Sequence, residues 1–210
     1  MSRSYAPIAF TGPVLDAQVQ YGSRAAIDRI DAGGFYSVPD PLGIVEREFV
    51  AQQDGFYLAT VSESGWPYVQ FRGGPPGFVT CPDEHTLAWA DFRGNRQYIS
   101  TGNLAHDSRV AMIFMDYAHQ RRLKVFGVAR ISDVHDQGPY SSPLAPPGYR
   151  AIVEREVRVQ VRAFDWNCPQ HITPRYTADE IASTLEPLER RVRELETENH
   201  LLRAQVAPSP

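Results

Sequence analysis

The chain is poor in cysteine, in basic charge and in long apolar runs. Its 210 residues carry two cysteines, Cys81 and Cys168, which excludes a disulfide framework and a cysteine-rich zinc site. Lysine and arginine number 21 against 25 aspartates and glutamates, a formal charge of −4. The basic footprint of a nucleic-acid-binding protein is therefore missing. No segment approaches the ~18 uninterrupted apolar residues of a membrane span, and the opening MSRSYAPIAFTGP holds no apolar targeting core. The six histidines show no His-x-x-x-His spacing, which removes a common helical metal pair. The expectation is a cytoplasmic, reduced protein without metal, nucleic acid or membrane as partner. At 42% hydrophobic residues, the chain has enough for one well-filled core with extensions.

The N-terminal third, residues 1–54, reads as helical. One helix lies within GPVLDAQVQYGSRAAIDRI. A second is DPLGIVEREFVAQQDG, with Asp40 as cap, Pro41 in the first turn, Gly55 as stop, and Leu42, Val45, Phe49 and Val50 as its apolar face. From Gly55 the pattern changes to strands. GFYLATVSESGWPYVQFRGG is strand, turn, strand about Ser64-Gly65, and GFVTCPDEHTLAWAD is a second hairpin about Pro82-Asp83. After a helix in RQYISTGNLA come SRVAMIFMDY, RRLKVFGVARISD and REVRVQVRAFDW. Both alternating faces of VAMIFM are apolar, so this strand is expected to be covered on both sides. Strands joined mainly by hairpins, with one helix in mid-course, imply a small antiparallel barrel over residues 55–176, in a mainly β (α+β) chain.

From Ile181 to Val206 apolar residues fall alternately four and three apart. Ile181, Leu188, Leu195 and Leu202 form one column; Leu185, Val192, Asn199 and Val206 form the other. This heptad pattern predicts a long helix over 177–206, pairing as a parallel two-stranded coiled coil, with a buried Asn setting the register. Such a pair would also match Arg191 with Glu196 and Glu198 with Arg203. The alternative is a helix packed on its own domain.

The stretch ADFRGNRQYI, at Ala90–Ile99, concentrates the chemistry. A strand there delivers the chain toward a helix start, where free N–H groups favour an anion. Gly94 allows close backbone approach, Asn95 can cap or donate, and Arg93 and Arg96 offer charge-assisted hydrogen bonds to a phosphate. Arg72, with Gln70 on the same strand face, can converge on them. The competing reading pairs these arginines with Asp91, Glu84 or other carboxylates.

Three segments together, FYLATVSESGWPYVQFRGGPPGFV, TLAWADFRGNRQYISTGNLAHDSRVAMIFMDY and RRLKVFGVARI, resemble the pyridoxamine 5′-phosphate oxidase-like family of FMN-binding split barrels, in particular flavoproteins with the FRGNRQ pattern. The resemblance covers about residues 55–133. It implies a six-stranded antiparallel split β-barrel, here with N-terminal helices and a C-terminal coiled-coil helix. It further implies a homodimer with FMN at the subunit interface and a small-molecule substrate. The phosphate would lie near Arg72, Arg93, Gly94, Asn95, Arg96 and Gln97, with Gln70 toward the flavin ring, Lys124 facing phosphate, and Trp166 stacking. His171 and Gln170, in FDWNCPQHITPRY, are the candidates for contact with substrate, and Arg175 for an anionic one. The better-known oxidases carry Ser-Arg-Lys where this chain has Arg93-Gly94-Asn95-Arg96, and their C-terminal Arg-x-His signature has no counterpart here. The functional expectation is thus an FMN-dependent oxidoreductase. The alternatives are a non-catalytic flavin-binding module and a relative that binds haem or a deazaflavin.

Overall fold

A computed structural model describes residues 4–30, 39–134, 142–166 and 168–206. Among the described residues, four short helices precede the sheet: α1 (Tyr5–Ala9), α2 (Gly12–Gln20), α3 (Arg24–Ile30) and α4 (Ile44–Ala51). The stretch expected to hold one helix holds two, because Gly22 adopts a left-handed φ of +74° and breaks it. α4 starts and stops inside its expected limits. Gly43 is its N-cap, and Glu46 accepts from the Gly43 amide at 3.0 Å. Asp40 instead accepts from the Ser4 amide at 3.0 Å. Leu42, Phe49 and Val50 are buried as the periodicity requires, whereas Val45 is exposed.

The strands are β1 (Gly55–Val61), β2 (Pro67–Gly73), β3 (Val79–Asp83), β4 (Thr86–Phe92), β5 (Arg109–Asp116), β6 (Arg121–Asp133) and β7 (Val153–Trp166); α5 (Ile99–His106) lies between β4 and β5. They form one antiparallel sheet in the order β2-β1-β5-β6-β7-β4-β3. Among the described residues the count is seven, the number the strand segments read from sequence add up to and one more than the resemblance implies. The β3–β4 hairpin turns at Glu84-His85, two residues later than expected, where Asp83 accepts from the His85 amide at 2.7 Å.

The sheet curls without closing. Phe56 on β1 packs against Trp89 on β4 and Phe114 on β5, ring centroids 5.0 Å apart in both cases. Strands far apart in the order therefore meet around one core of Trp89, Phe56, Phe78, Phe114, Leu58 and Met112. Each such side chain contributes about 1.5–3 kcal/mol on burial. Gly127 sits where the β6–β7 register shifts, and a Cβ there would run into Val159 and lie 2.9 Å from the Gln160 carbonyl oxygen. α5 lies across one mouth, held by Asn103 donating to Thr60 at 3.0 Å and Ser100 donating to Gln70 at 3.1 Å.

The outer face of the sheet departs from expectation. On β5, Val110, Met112 and Phe114 are buried, but Ile113 on the other face is exposed. The register sets Phe71 beside Tyr57 and Tyr57 beside Ile113, with Val69 beside Ala59 one step along. An apolar strip across β2, β1 and β5 thus faces outward in the single chain. The last helix, α6 (Ala178–Val206), follows β7. Among the described residues no helix is long and apolar enough to cross a membrane.

Candidate functional site

The curl brings β2 against β4 at the open seam, and a groove of about 280 Å³ lies there, lined by Gln70, Arg72, Asp91, Arg93, Gly94 and neighbouring aromatic residues. β2 turns Gln70 and Arg72 to one face by its period of two. Arg93 and Gly94 follow directly as the chain leaves β4.

Two buried carboxylates organise this seam. Asp91 accepts from Arg72 Nη1 at 2.8 Å and from Arg155 Nη2 at 2.9 Å. Glu154 accepts from Arg93 Nε at 2.9 Å, Arg155 Nη2 at 3.0 Å and the Tyr98 hydroxyl at 3.2 Å. The Arg155 guanidinium also lies 4.9 Å from the centre of the Tyr98 ring, close enough for a cation–π contact. Burial alone would raise the Glu154 carboxyl. The hydrogen bonds from Arg93 and Tyr98 and the charge of Arg155 together outweigh it, and hold the group below the usual glutamate range. Burial likewise works against the Arg155 charge, and the bonds to Asp91 and Glu154 restore it.

The pairing anticipated as the competing reading is therefore present for Arg72 with Asp91. It does not neutralise the seam. Three guanidinium groups share two carboxylates, leaving one positive charge. Arg96 adds another: fully exposed, it donates to the Tyr98 hydroxyl at 3.4 Å and makes no ion pair among the described residues. Two buried donors on groove-lining residues, Arg72 Nε and Trp89 Nε1, have no partner among the described residues. A positive surplus with spare donors is the donor chemistry a phosphate requires.

The segment between β4 and α5 is not a first helical turn. α5 begins at Ile99, so Asn95 is no N-cap; its Oδ1 accepts from the Gln97 amide at 3.1 Å in a local turn. Arg96 and Tyr98 both take left-handed φ values, +61° and +54°. The arginines thus stand on a tight loop ahead of the helix, with Gly94, Asn95, Arg96 and Gln97 exposed.

Other expected site residues lie apart from the groove. Lys124 pairs with Asp165 at 2.9 Å and sits over the Tyr5 ring at 4.7 Å. Trp166 donates to Glu46 at 2.8 Å and packs edge-on against Phe49. Gln170 and His171 are exposed, and neither lines the groove. Arg175 lies 4.9 Å from the Tyr117 ring centre and lines a different cavity of about 380 Å³ with Asp116, Tyr117, His119 and Glu180. Cys81 is half-buried, and burial pushes its thiol up to about 11. Sequence reasoning missed Glu154, Arg155 and Tyr98. The one signal for the first two is a Glu-Arg pair at the head of an otherwise alternating strand.

The family model described as pyridoxamine 5′-phosphate oxidase matches residues 45–156, just over half of the chain. The chain belongs to this family. Among solved structures, HupZ of Group A Streptococcus is similar at 14% identity over 64% of this chain and 99% of its own, with a TM-score of 0.48. An FMN-binding protein from Syntrophomonas wolfei is similar at 11% identity over 72% and 97%, with a TM-score of 0.42. An F420 reductase matches at 22% identity over 56% and 94%, with a TM-score of 0.38. No curated protein matches the chain.

Proposed function

We propose that the chain binds FMN at the seam of its barrel, between two copies, and serves as an oxidoreductase for a small molecule. The observation that carries this reading is the guanidinium surplus around the groove, on a family member's fold. Arg72, Arg93 and Arg96 would hold the phosphate, aided by Asn95, Gln97 and the backbone at Gly94, while Gln70, steadied by Ser100, would address the ring. Bound FMN supplies hydride acceptance and release. The chain's own residues bind and orient it: Asp91 and Glu154 fix the arginines in place, and α5 screens one mouth from water. Lys124 and Trp166 are already engaged within the chain and are left out of the proposed contact set. Support for a homodimer comes from the outward strip of Val69, Phe71, Tyr57 and Ile113, which are 39–58% exposed in the single chain. A contiguous apolar patch of this kind marks an interaction site.

Titration with FMN, followed by quenching of flavin fluorescence, tests the reading. Saturable binding is expected, weakened about tenfold or more in Arg96→Ala, the loss of one hydrogen bond to a charged group. Absence of FMN binding by the purified chain contradicts it. One observation favours a second reading, a flavin-binding module without turnover: neither His171 nor Gln170 reaches the groove from its own chain. Retained FMN that NADH, NADPH and small-molecule donors all fail to reduce would support that module. For haem, the described lining offers Tyr149 as its one side chain of an axial-ligand type, with no His, Cys or Met beside it.

A further inference from the structure

We propose that α6 pairs with α6 of a second copy of this chain as a parallel two-stranded coiled coil beginning at Leu188. This stands apart from the flavin reading. The helix finds no cover in its own chain: Ile181, Leu185, Leu188, Val192, Leu195 and Leu202 are 44–59% exposed, and every described side chain from Thr173 to Arg203 is exposed. An apolar stripe this long gains its stability from packing against a partner. The alternative of a helix folded back on its own barrel is thereby removed.

Three features select a second copy, in parallel, as that partner. First, the g and e positions are self-complementary: Arg191 meets Glu196 of an identical helix, and Glu198 meets Arg203. The intrachain contact of Arg191 with Glu194, 3.1 Å and exposed, is weak enough to exchange. Second, Asn199 faces its own counterpart in a parallel pair, amide to amide. In the antiparallel register that aligns a with d positions it faces Leu188, with its amide unsatisfied. Third, Pro187 lies inside the helix but at a c position, away from the seam. It removes one backbone donor, to the Ser183 carbonyl, and leaves the stripe from Leu188 onward unbroken.

The segment before the helix is tied to the barrel, and the first helical turn is capped from within. Thr177 and Glu180 cap each other, with Thr177 N donating to Glu180 Oε2 at 2.7 Å and Glu180 N donating to Thr177 Oγ1 at 3.2 Å. Gln120 donates to the Ile172 carbonyl at 2.6 Å. Because Arg175 and Glu180 wall the 380 Å³ cavity, a parallel coil places the two copies' cavities at the same end of one axis.

Cross-linking of the full chain tests the proposal, in a Cys168→Ser background where the half-buried Cys81 does not compete. Mild oxidation is expected to link Leu195→Cys chains at least about tenfold faster than chains carrying His200→Cys, whose b position faces away from the seam. Equal slow linking of the two variants would overturn the coil. Preferential linking of Leu185→Cys to Leu202→Cys in a mixture, over like with like, would overturn its parallel direction. FMN titration of the same variants reads the flavin proposal independently.

Discussion

Asp91 and Glu154 carry opposite obligations at one seam: they must hold the guanidinium groups while buried, and they must not consume all the positive charge around them. Replacing Asp91 with Ala leaves Arg72 and Arg155 without their shared partner, and a loss of about 3–5 kcal/mol is expected in chemical denaturation. For Glu154 the folded carboxyl sits below its unfolded value. Its contribution is therefore fully present above the unfolded pKa, about 4.3, and is lost as pH falls through the lower folded value. Urea midpoints measured from about pH 6 down to pH 3 should fall steeply for the natural chain and less steeply for Glu154→Gln. Arg72 and Arg93 were legible in the sequence because a cation cluster beside a strand end is unusual. Glu154 and Arg155 were not, because nothing local tells an inward-facing charge from a solvated one at a strand head.

At the scale of elements, the loop between β4 and α5 holds the tension between stability and binding. Arg96 takes a left-handed backbone that costs an ordinary residue about 1–2 kcal/mol, yet its side chain is exposed and serves the fold little. Arg96→Gly is thus expected to stabilise the chain by about 0.5–1 kcal/mol, the relief being partly offset by unfolded-state entropy. The same change should weaken FMN binding, and thermal melting beside a flavin titration reads both; lost stability would show that the Tyr98 contact matters more than the backbone. On the sheet, the clean alternation of REVRVQVRAFDW located the buried face of β7 directly from sequence. For β5 the two apolar faces were read as two covered faces, and only one is covered within the chain. A sequence does not distinguish burial by its own fold from burial by a partner. In a Leu188→Glu/Leu195→Glu background that opens the α6 pair, Phe71→Glu is accordingly expected to shift the chain toward monomer in sedimentation; an unchanged mass there would remove the outward strip from the interface.

Among the described residues, the molecule is a curled seven-stranded sheet with helices before it and one long helix after it. Hairpin spacing and the heptad made that order readable, while the approach of β2 to β4 was not, since it rests on contacts between strands distant in sequence. The account's central claim is that the seam exists to hold the phosphate of a flavin. Absorbance and mass spectrometry of the ligand released from the purified chain test this most directly. The account predicts yellow protein that releases FMN at about one per chain. Colourless protein that also fails to bind added FMN, or a released cofactor without a phosphate group, would contradict it.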